Sequence, residues 1–570
     1  MQKILKYYKP YIFKVLICLI IKISGIVMEL LIPILLSYLL DTVVPNKSMG
    51  EIVFYGFLMI GAACLGFLGN CKANQRAAYI AKTITISLRQ DLFRKIMSLS
   101  ERQIDEITLP SLVARMSSDT YNIHQMLAML LRLGVRAPIL FFGGMIATLF
   151  LDSILTLVIV ATLPLVGLLL YLISKISIPL FTDVQKAIDK MVLSLRENIT
   201  GIRVIKALSK EDYEKGRFDA INKNVIKYEL KSSSIMTALN PCINLILNIG
   251  LVGVIIVGAY RVNNGIILPG KVLAFTTYFS MIVTALISLN RMFTIISKAY
   301  ASILRIDYVF DMGKTLTKEN HEGTSKAYIE FRNVSFSYLG EKNNLENISF
   351  KLSKGETLGI IGSTGSGKTT IINLLLRLYD VNKGAIYING KDVRNYSDKA
   401  LRKKFGASMQ YDHLFKGTIK ENIDFFRGIK DKEIEQAIKT AQIDFIDNYD
   451  DKINHQVAPN GTNFSGGQKQ RLLLARALAS YPDILILDDA SSALDYKTDE
   501  RLRHAIKENY PSVTSIIVSA RISSIKHAET IIVLENEKIN GIGTHESLLA
   551  TNKIYKEIYD LQLGGDEYDE

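Results

Sequence analysis

A glycine-rich segment that ends in lysine and threonine is the strongest chemical signal in this 570-residue sequence. Residues 362–369 read Gly-Ser-Thr-Gly-Ser-Gly-Lys-Thr and fit the phosphate-binding pattern G-x-x-x-x-G-K-[ST]. Backbone N–H groups of such a loop surround a β-phosphate, Lys368 reaches the β- and γ-phosphates, and the Thr369 hydroxyl can bind Mg²⁺. The residues predicted to bind nucleotide here are Gly362, Ser363, Thr364, Gly365, Ser366, Gly367, Lys368, Thr369 and Thr370.

The segments around this loop predict the elements that would position it. An apolar run at 358–361 predicts a buried strand, and the apolar residues 370–378 predict a helix. A glycine-rich turn with a chance Lys-Thr pair is the alternative, but the strand–loop–helix order favours phosphate binding. A second apolar strand at 484–487 ends in Asp488, at a position where nucleotide-hydrolysing enzymes hold Mg²⁺.

A Ser-Gly-Gly segment forms a second candidate anion site. Ser465, Gly466 and Gly467 precede a predicted helix at 472–480. Free N–H groups and the helix dipole favour an anion at a helix N-terminus. Such a segment is more often a simple helix cap, but here it lies just before the acidic strand of a chain that already has a phosphate loop.

The first half of the chain has a different composition. Hydrophobic residues make up 49% of the sequence, and six apolar stretches are long enough to cross a bilayer as helices. These predicted spans are 12–40, 52–71, 127–151, 153–174, 240–260 and 272–289. Most basic residues of this half lie in the long connections near 72–126 and 175–239. Because basic loops remain inside, we expect these connections and both termini to be cytoplasmic. The net charge of +13 is therefore mainly a topology signal, and we expect no nucleic-acid partner.

Several polar residues interrupt the spans and leave two interpretations open. Intramembrane polar side chains either line a substrate path or bond between helices. Lys22 and Glu29 share one face of the first span, and Arg132 and Arg136 lie near the cytoplasmic end of the third. The other members of this group are Asn240, Asn244 and Asn248. None of the four cysteines has the spacing of a zinc site, and no disulfide framework is indicated.

The ordered motifs of the second half resemble those of an ATP-binding cassette (ABC) half-transporter of the type I exporter class. The Walker A loop matches 362–369, the signature matches Phe464-Ser-Gly-Gly-Gln468, Walker B matches 484–488 and the D-loop matches 492–495. By the same resemblance, Gln410 is the Q-loop residue and Tyr338 is the aromatic residue that stacks on adenine. The implied fold class is multidomain: an all-α six-helix transmembrane domain followed by an α/β P-loop nucleotide-binding domain.

The resemblance divides the chain into four parts. We expect a transmembrane domain at 1–310 with long cytoplasmic extensions, a linker at 311–326, an ATP-binding cassette at 327–563 and an acidic tail at 564–570. Residues 112–119 and 197–207 resemble the regions that dock on the nucleotide-binding domains.

The resemblance also implies ATP and Mg²⁺ as cofactors and a second half-transporter chain as partner. Thr369, Gln410 and Asp488 would hold the metal. The signature residues that would reach the partner's ATP are Ser465, Gly466, Gly467 and Gln468. The lipid bilayer is the second partner, and the transported substrate is expected to be amphipathic but is not identified.

Two positions depart from the family pattern. Asp489 stands where most active members have glutamate as the catalytic base, and Ala520 stands where the switch histidine is expected. The resemblance therefore implies weak hydrolysis at this chain's own site and a heterodimer in which the partner supplies the catalytic residues. A slow homodimeric exporter and an ATP-gated regulatory or channel-like membrane protein remain alternatives.

Overall fold

The computed structural model describes residues 6–46, 48–313, 316, 321, 323–338, 340, 343–410 and 412–563. Their contacts separate two compact units, one formed by 1–96 with 113–311 and the other by 97–112 with 312–570. The acidic tail at 564–570 and part of the linker at 311–326 lie outside the described residues.

The first unit is built from long helices. They are α1 (Ile12–Tyr38), α2 (Met49–Ile96), α5 (Thr120–Leu151), α6 (Ser153–Thr200), α7 (Ile202–Ala207), α8 (Glu211–Asn263) and α9 (Pro269–Asp311). The short helix α3 (Glu101–Ile107) lies in the second unit, and α4 (Leu109–Ala114) has residues 109–112 in the second unit and 113–114 in the first. Six helical segments in the described part of the chain are long and apolar enough to cross a membrane, as the sequence predicts. With 48 residues, α2 extends for about 72 Å, more than twice the hydrocarbon thickness.

Close backbone contact holds α1 and α2 together. A Cβ atom on Gly66 would lie only 3.2 Å from the carbonyl oxygen of Gly25, so both positions favour glycine. Lys22 is buried in this contact and donates a hydrogen bond to Asn74 Oδ1 at 3.0 Å. The antiparallel pair α1–α2 therefore combines small residues with one satisfied buried cation.

Some polar residues of the spans pair between helices and others do not. Arg136 of α5 donates to Glu29 of α1 at 2.6 Å, so Lys22 and Glu29 have different partners. Arg132 bonds the backbone oxygen of Ala128 in its own helix at 3.1 Å. Asn244 and Asn248 are exposed in this chain, and the side chain of Asn240 lies outside the described set.

The second unit contains two main sheets. The larger has the strand order β12–β11–β3–β10–β9–β6, with β12 antiparallel and the other strands parallel. Its strands are β3 (Thr357–Gly362), β6 (Phe405–Ser408), β9 (Ile484–Asp488), β10 (Thr514–Val518), β11 (Thr530–Glu535) and β12 (Lys538–Gly543). The smaller, antiparallel sheet has the order β2–β1–β4–β5 and consists of β1 (Ile329–Phe336), β2 (Leu345–Leu352), β4 (Lys383–Ile388) and β5 (Lys391–Asp392). A short pair, β7 (Gly417–Thr418) with β8 (Gln456–Val457), completes the strands.

Helices pack around these sheets and confirm the α/β class of the second unit. They are α10 (Lys368–Leu375), α11 (Asp398–Arg402), α12 (Ile419–Asp424), α13 (Asp431–Thr440), α14 (Gly466–Leu478), α15 (Tyr496–Asn509), α16 (Ile522–Ile525), α17 (His545–Thr551) and α18 (Lys553–Leu563). The predicted helix at 370–378 thus begins two residues earlier, at Lys368, and ends at Leu375. The one predicted at 472–480 begins at Gly466, because Ser465 caps it.

One buried ion pair fixes the tight connection between α5 and α6. Asp152 accepts hydrogen bonds from the backbone N–H groups of Ile154 and Leu155 at 2.9 and 3.0 Å, which caps α6. Arg261 of α8 donates to the same carboxylate at 2.7 Å. One side chain therefore caps a helix and also joins it to a second helix.

We expect Asp152→Ala to lower the apparent unfolding temperature by several degrees, because it removes the cap and leaves a largely buried guanidinium without its partner. Thermal unfolding of the detergent-solubilised protein would measure this. The matched control is Asp212→Ala, which breaks only the exposed pair with Lys215 at 2.9 Å. Equal shifts for the two variants would contradict the role of Asp152.

Candidate nucleotide-binding site

The phosphate loop lies between β3 and α10, as the sequence predicts. Its backbone is left-handed at Gly365 (φ 84°) and Gly367 (φ 99°), conformations that side chains other than glycine adopt poorly. At Gly367 a Cβ atom would also lie 2.5 Å from Leu345 Cδ2 and 2.8 Å from the Asn344 carbonyl oxygen. Glycine at 367 is thus required both by its backbone angle and by its neighbours.

The polar groups of the loop fit an anionic ligand. The Ser366 hydroxyl is buried and has no hydrogen-bond partner among the described atoms. The Lys368 ammonium donates to the carbonyl oxygens of Gly362 and Ser363, both at 2.8 Å, so it lies over the loop itself. Burial lowers the pKa of Lys368, while the carboxylates of Asp489 and Asp488 oppose that change. A phosphate group would satisfy both the ammonium and the orphaned hydroxyl.

Two oxygen donors stand together where Mg²⁺ is expected. The Thr369 hydroxyl donates to Asp488 Oδ2 at 3.1 Å, across the gap between α10 and the end of β9. Asp488 is almost fully buried, which raises the pKa of its carboxyl group, while the Thr369 hydrogen bond and the Lys368 charge act in the opposite direction. Hydroxyl and carboxylate oxygens suit Mg²⁺, which takes further ligands from water and phosphate.

Tyr338 lies beside the loop in an aromatic cluster. Its ring packs edge-on against Phe336 and Tyr379, with centroids 4.8 and 4.9 Å apart. Its hydroxyl accepts a hydrogen bond from Asn373 at 3.0 Å and lies 3.4 Å from the Thr370 hydroxyl, and both partners belong to α10. The base-stacking candidate and the phosphate loop are therefore held by one helix.

The remaining predicted residues lie at the same edge of the large sheet. Ser408 pairs with Leu487, so Gln410 follows β6 beside the end of β9, where its side chain is exposed. The Asp489 backbone N–H donates to the Val518 carbonyl oxygen at 3.0 Å, which brings Asp489 next to the strand that leads to Ala520. No side-chain hydrogen bond joins Gln410 to Asp488 or Thr369 in the described part of the chain.

The Ser-Gly-Gly segment forms a capping box. Ser465 Oγ accepts from the Gln468 N–H at 3.3 Å, and Gln468 Oε1 accepts from the Ser465 N–H at 2.9 Å. At Gly467 a Cβ atom would lie 3.0 Å from the Ala493 carbonyl oxygen. The cap interpretation and the anion-site interpretation are compatible, because the N–H groups of Gly466 and Gly467 are not used by the box.

Sequence reasoning missed the residues that connect these segments. Gln470, one turn into α14, donates to Ser492 Oγ at 2.8 Å and accepts from the Ala493 N–H at 2.9 Å. Arg521 donates to the carbonyl oxygens of Ser492 and Leu494 at 2.9 and 3.1 Å. Both are polar residues next to recognised motifs, but only the fold shows that they hold the same loop, residues 492–495.

Tyr379 is another residue without a sequence signal. Its hydroxyl donates to Asp105 of α3 at 2.6 Å. Burial and this carboxylate raise the pKa of the Tyr379 hydroxyl, so the phenol stays protonated and remains a donor. Gln103 of the same helix donates to the Gly313 carbonyl oxygen at 2.8 Å, which attaches α3 to the second unit.

Comparisons with known proteins agree with this arrangement. Residues 15–286 match the ABC transporter transmembrane region and residues 345–492 match the ABC transporter family. The uncharacterized ABC transporter ATP-binding protein YfiB of Bacillus subtilis (strain 168) is 33% identical, with 99% of each chain covered. The putative ABC transporter ATP-binding protein exp8 of Streptococcus pneumoniae serotype 4 is 31% identical, over 99% of this chain and 97% of its own.

A solved structure has the same fold. A bacterial Atm1-family ABC exporter with ATP bound superposes with a TM-score of 0.82 at 23% identity, covering 97% of this chain and 98% of its own. Fold and site together define a membrane protein of several spans joined to a P-loop nucleotide-binding domain. The chain belongs to the ABC transporter family.

We expect Lys368→Ala to reduce ATP binding at this site by at least about tenfold, because a charge-assisted contact to phosphate is lost. Photo-crosslinking of azido-ATP to the full-length chain would measure it. Lys507→Ala, an exposed lysine on α15, is the control and should bind normally. Equal labelling of both variants would contradict phosphate binding by Lys368.

Proposed function

We propose that this chain is one subunit of an ATP-driven exporter. In this proposal its own Walker residues hold Mg²⁺-ATP with little hydrolysis, and its signature completes the hydrolytic site of a second, different half-transporter chain. The two chains would alternate between inward- and outward-facing forms to move an amphipathic substrate. Residues 1–310 would form the transmembrane domain and 327–563 the cassette.

One observation carries the proposal: both positions next to the expected γ-phosphate are weakened. Asp489 keeps a carboxylate but is one methylene shorter than glutamate, which withdraws the oxygens by about 1.5 Å. A displacement of about 1 Å can cost ~10²-fold in rate when catalysis depends on positioning. Ala520 has no side-chain donor or acceptor with which to meet a phosphate or a water. Two losses at one sheet edge favour long retention of ATP.

The preserved residues support binding rather than loss of the site. The loop glycines, the Lys368 ammonium and the Thr369–Asp488 pair are all in place for a Mg²⁺-nucleotide. In contrast to Asp489 and Ala520, the signature residues Ser465–Gln468 form a complete capping box. Intact phosphate- and metal-binding residues beside weakened catalytic residues are what a retained, slowly hydrolysed ATP requires.

Each group has a definite part in this proposal. Bound Mg²⁺ neutralises phosphate charge, and Thr369 and Asp488 would hold it. Lys368 and the loop N–H groups would fix the phosphates, and Tyr338 would pack on the base. In the dimer, Ser465 and the free N–H groups of Gly466 and Gly467 would be directed at the γ-phosphate held by the partner. Gln470 and Arg521 would keep residues 492–495 in place beside that junction.

The proposed location is the cell membrane, with both termini and the nucleotide-binding domain in the cytoplasm. The basic extensions of the predicted spans support this orientation, because basic loops remain inside. The described part of the chain contains six helical segments of spanning length, and this even number supports the proposal that both termini lie on one side.

Restoring the family residues tests the weakened site. We expect Asp489→Glu combined with Ala520→His to raise hydrolysis at this site at least about tenfold, because the base regains its reach and a γ-phosphate donor returns. After incubation of the assembled transporter with Mg²⁺-ATP, nucleotide retained by this chain should change from mostly ATP to mostly ADP. The same double variant with Lys368→Ala is the control and should retain little of either. An unchanged ATP:ADP ratio would contradict our account.

The remaining alternatives can be tested by purifying the membrane-extracted chain and identifying the proteins that copurify with it. We expect a second half-transporter chain by mass spectrometry, and ATP-dependent substrate accumulation in inside-out vesicles that contain both chains. A lone homodimer with substantial ATPase activity would contradict the heterodimer. Nucleotide-dependent conformational change without coupled transport would favour the channel-like alternative.

A further inference from the structure

Two neighbouring grooves follow one another along one face of the α1–α2 pair and are together called the α1–α2 groove. Its inner part, about 380 Å³, is mostly apolar and is lined by Ile21, Ser24, Met28, Leu65 and Leu68. Lys72 lies at one end of this part. The adjoining part, about 430 Å³, continues towards the N-terminal end of α1, where Lys14 and Arg76 face it. Residues 14, 17, 21, 24 and 28 form one helical stripe, which makes the two parts one surface.

The charges in this groove are all of one sign. Lys14, Lys72 and Arg76 are its only charged lining residues, and no carboxylate of the described chain forms an ion pair with them. By contrast, a groove of about 270 Å³ between α6 and α8 contains Asp183 beside Lys186 and Lys190. Three cations without a carboxylate partner next to an apolar surface favour binding of an anion that also carries an apolar chain.

The positions of these cations relative to the predicted spans indicate the class of anion that would bind. Lys14 lies near the start of the predicted span 12–40, and Lys72 and Arg76 follow directly after the span 52–71. The three cations therefore lie towards the same membrane interface, with Lys72 about 9 Å deeper than Lys14 because Cys18 packs beside Ala73. From Ile21 to Met28 the apolar part of the groove extends for about 10 Å, which covers about two thirds of a leaflet of about 15 Å and so suits part of an acyl chain.

We propose that the α1–α2 groove binds an anionic phospholipid, with its phosphate held by Lys14, Lys72 and Arg76 and one acyl chain lying along Ile21, Met28 and Leu65. The headgroup end of the groove is cytoplasmic if the orientation proposed above is correct. Lipid binding itself does not depend on hydrolysis at the Walker site.

Native mass spectrometry of the assembled, detergent-solubilised transporter with added phosphatidylglycerol tests this proposal. Each Lys or Arg near an anionic headgroup contributes roughly fivefold in affinity, so Lys72→Gln with Arg76→Gln should weaken the tightest lipid binding by about twenty-fivefold. Lys72→Arg with Arg76→Lys keeps both charges and should bind like the unchanged protein. This second variant separates loss of charge from a general disturbance of α2.

A control uses cations on the same predicted side of the membrane, on other helices. Lys175 and Lys231 are exposed. Lys175 follows directly after the predicted span 153–174, and Lys231 precedes the predicted span 240–260 by nine residues, about 13 Å of helix. Lys175→Gln with Lys231→Gln should leave phosphatidylglycerol binding unchanged, and phosphatidylcholine should bind weakly to every variant.

Four results would overturn the proposal. The first is an equal loss of lipid affinity in the groove and control variants, and the second is no loss of affinity in either. The third is displacement of the lipid by millimolar inorganic phosphate. The fourth is dissociation of the assembled subunits in the groove variant with unchanged lipid binding. The third would indicate a free-anion site, and the fourth would indicate that the groove is covered by the second chain.

Discussion

The parallel pairing of β3, β10 and β9 is the constraint on which the nucleotide site depends. Parallel strands present their carboxyl ends at one edge, so the phosphate loop after β3, Asp488 at the end of β9 and Ala520 after β10 all meet there. Residues more than a hundred positions apart become neighbours through backbone hydrogen bonds alone. The Thr369–Asp488 bond is a direct consequence of this register.

The same strand register brings together the two residues that were predicted to depart from the family pattern. In the sequence, Asp489 and Ala520 are separated by a helix and a strand; in the fold, the Asp489 N–H bonds the strand that leads to Ala520. Asp489 and Ala520 therefore lie in one small volume and not at two independent sites. Gln470 and Arg521 extend this arrangement to residues 492–495, so the signature helix and the switch segment support a common loop.

In the first unit, the governing constraint is the cost of placing charge among apolar helices. Contacts between helices offset this cost: Lys22 bonds Asn74, and Glu29 pairs with Arg136. The pairing favours the structural interpretation of these polar residues over a substrate path. Lys14, Lys72 and Arg76 differ, because their charges face an open groove at the membrane interface instead of a protein carboxylate.

The sequence by itself determined the two halves of the fold, the six apolar spans, the phosphate loop and the acidic strand end, because each depends on local composition or on a short, fixed spacing. It could not locate the start of α14, since a serine cap decides it, nor the partners of Lys22 and Glu29, since seven-residue spacing indicates a shared face and not a contact. Tertiary structure alone decided the roles of Gln470, Arg521 and Tyr379. Their hydrogen bonds join segments 20 to about 270 residues apart, and no local pattern encodes such a distance.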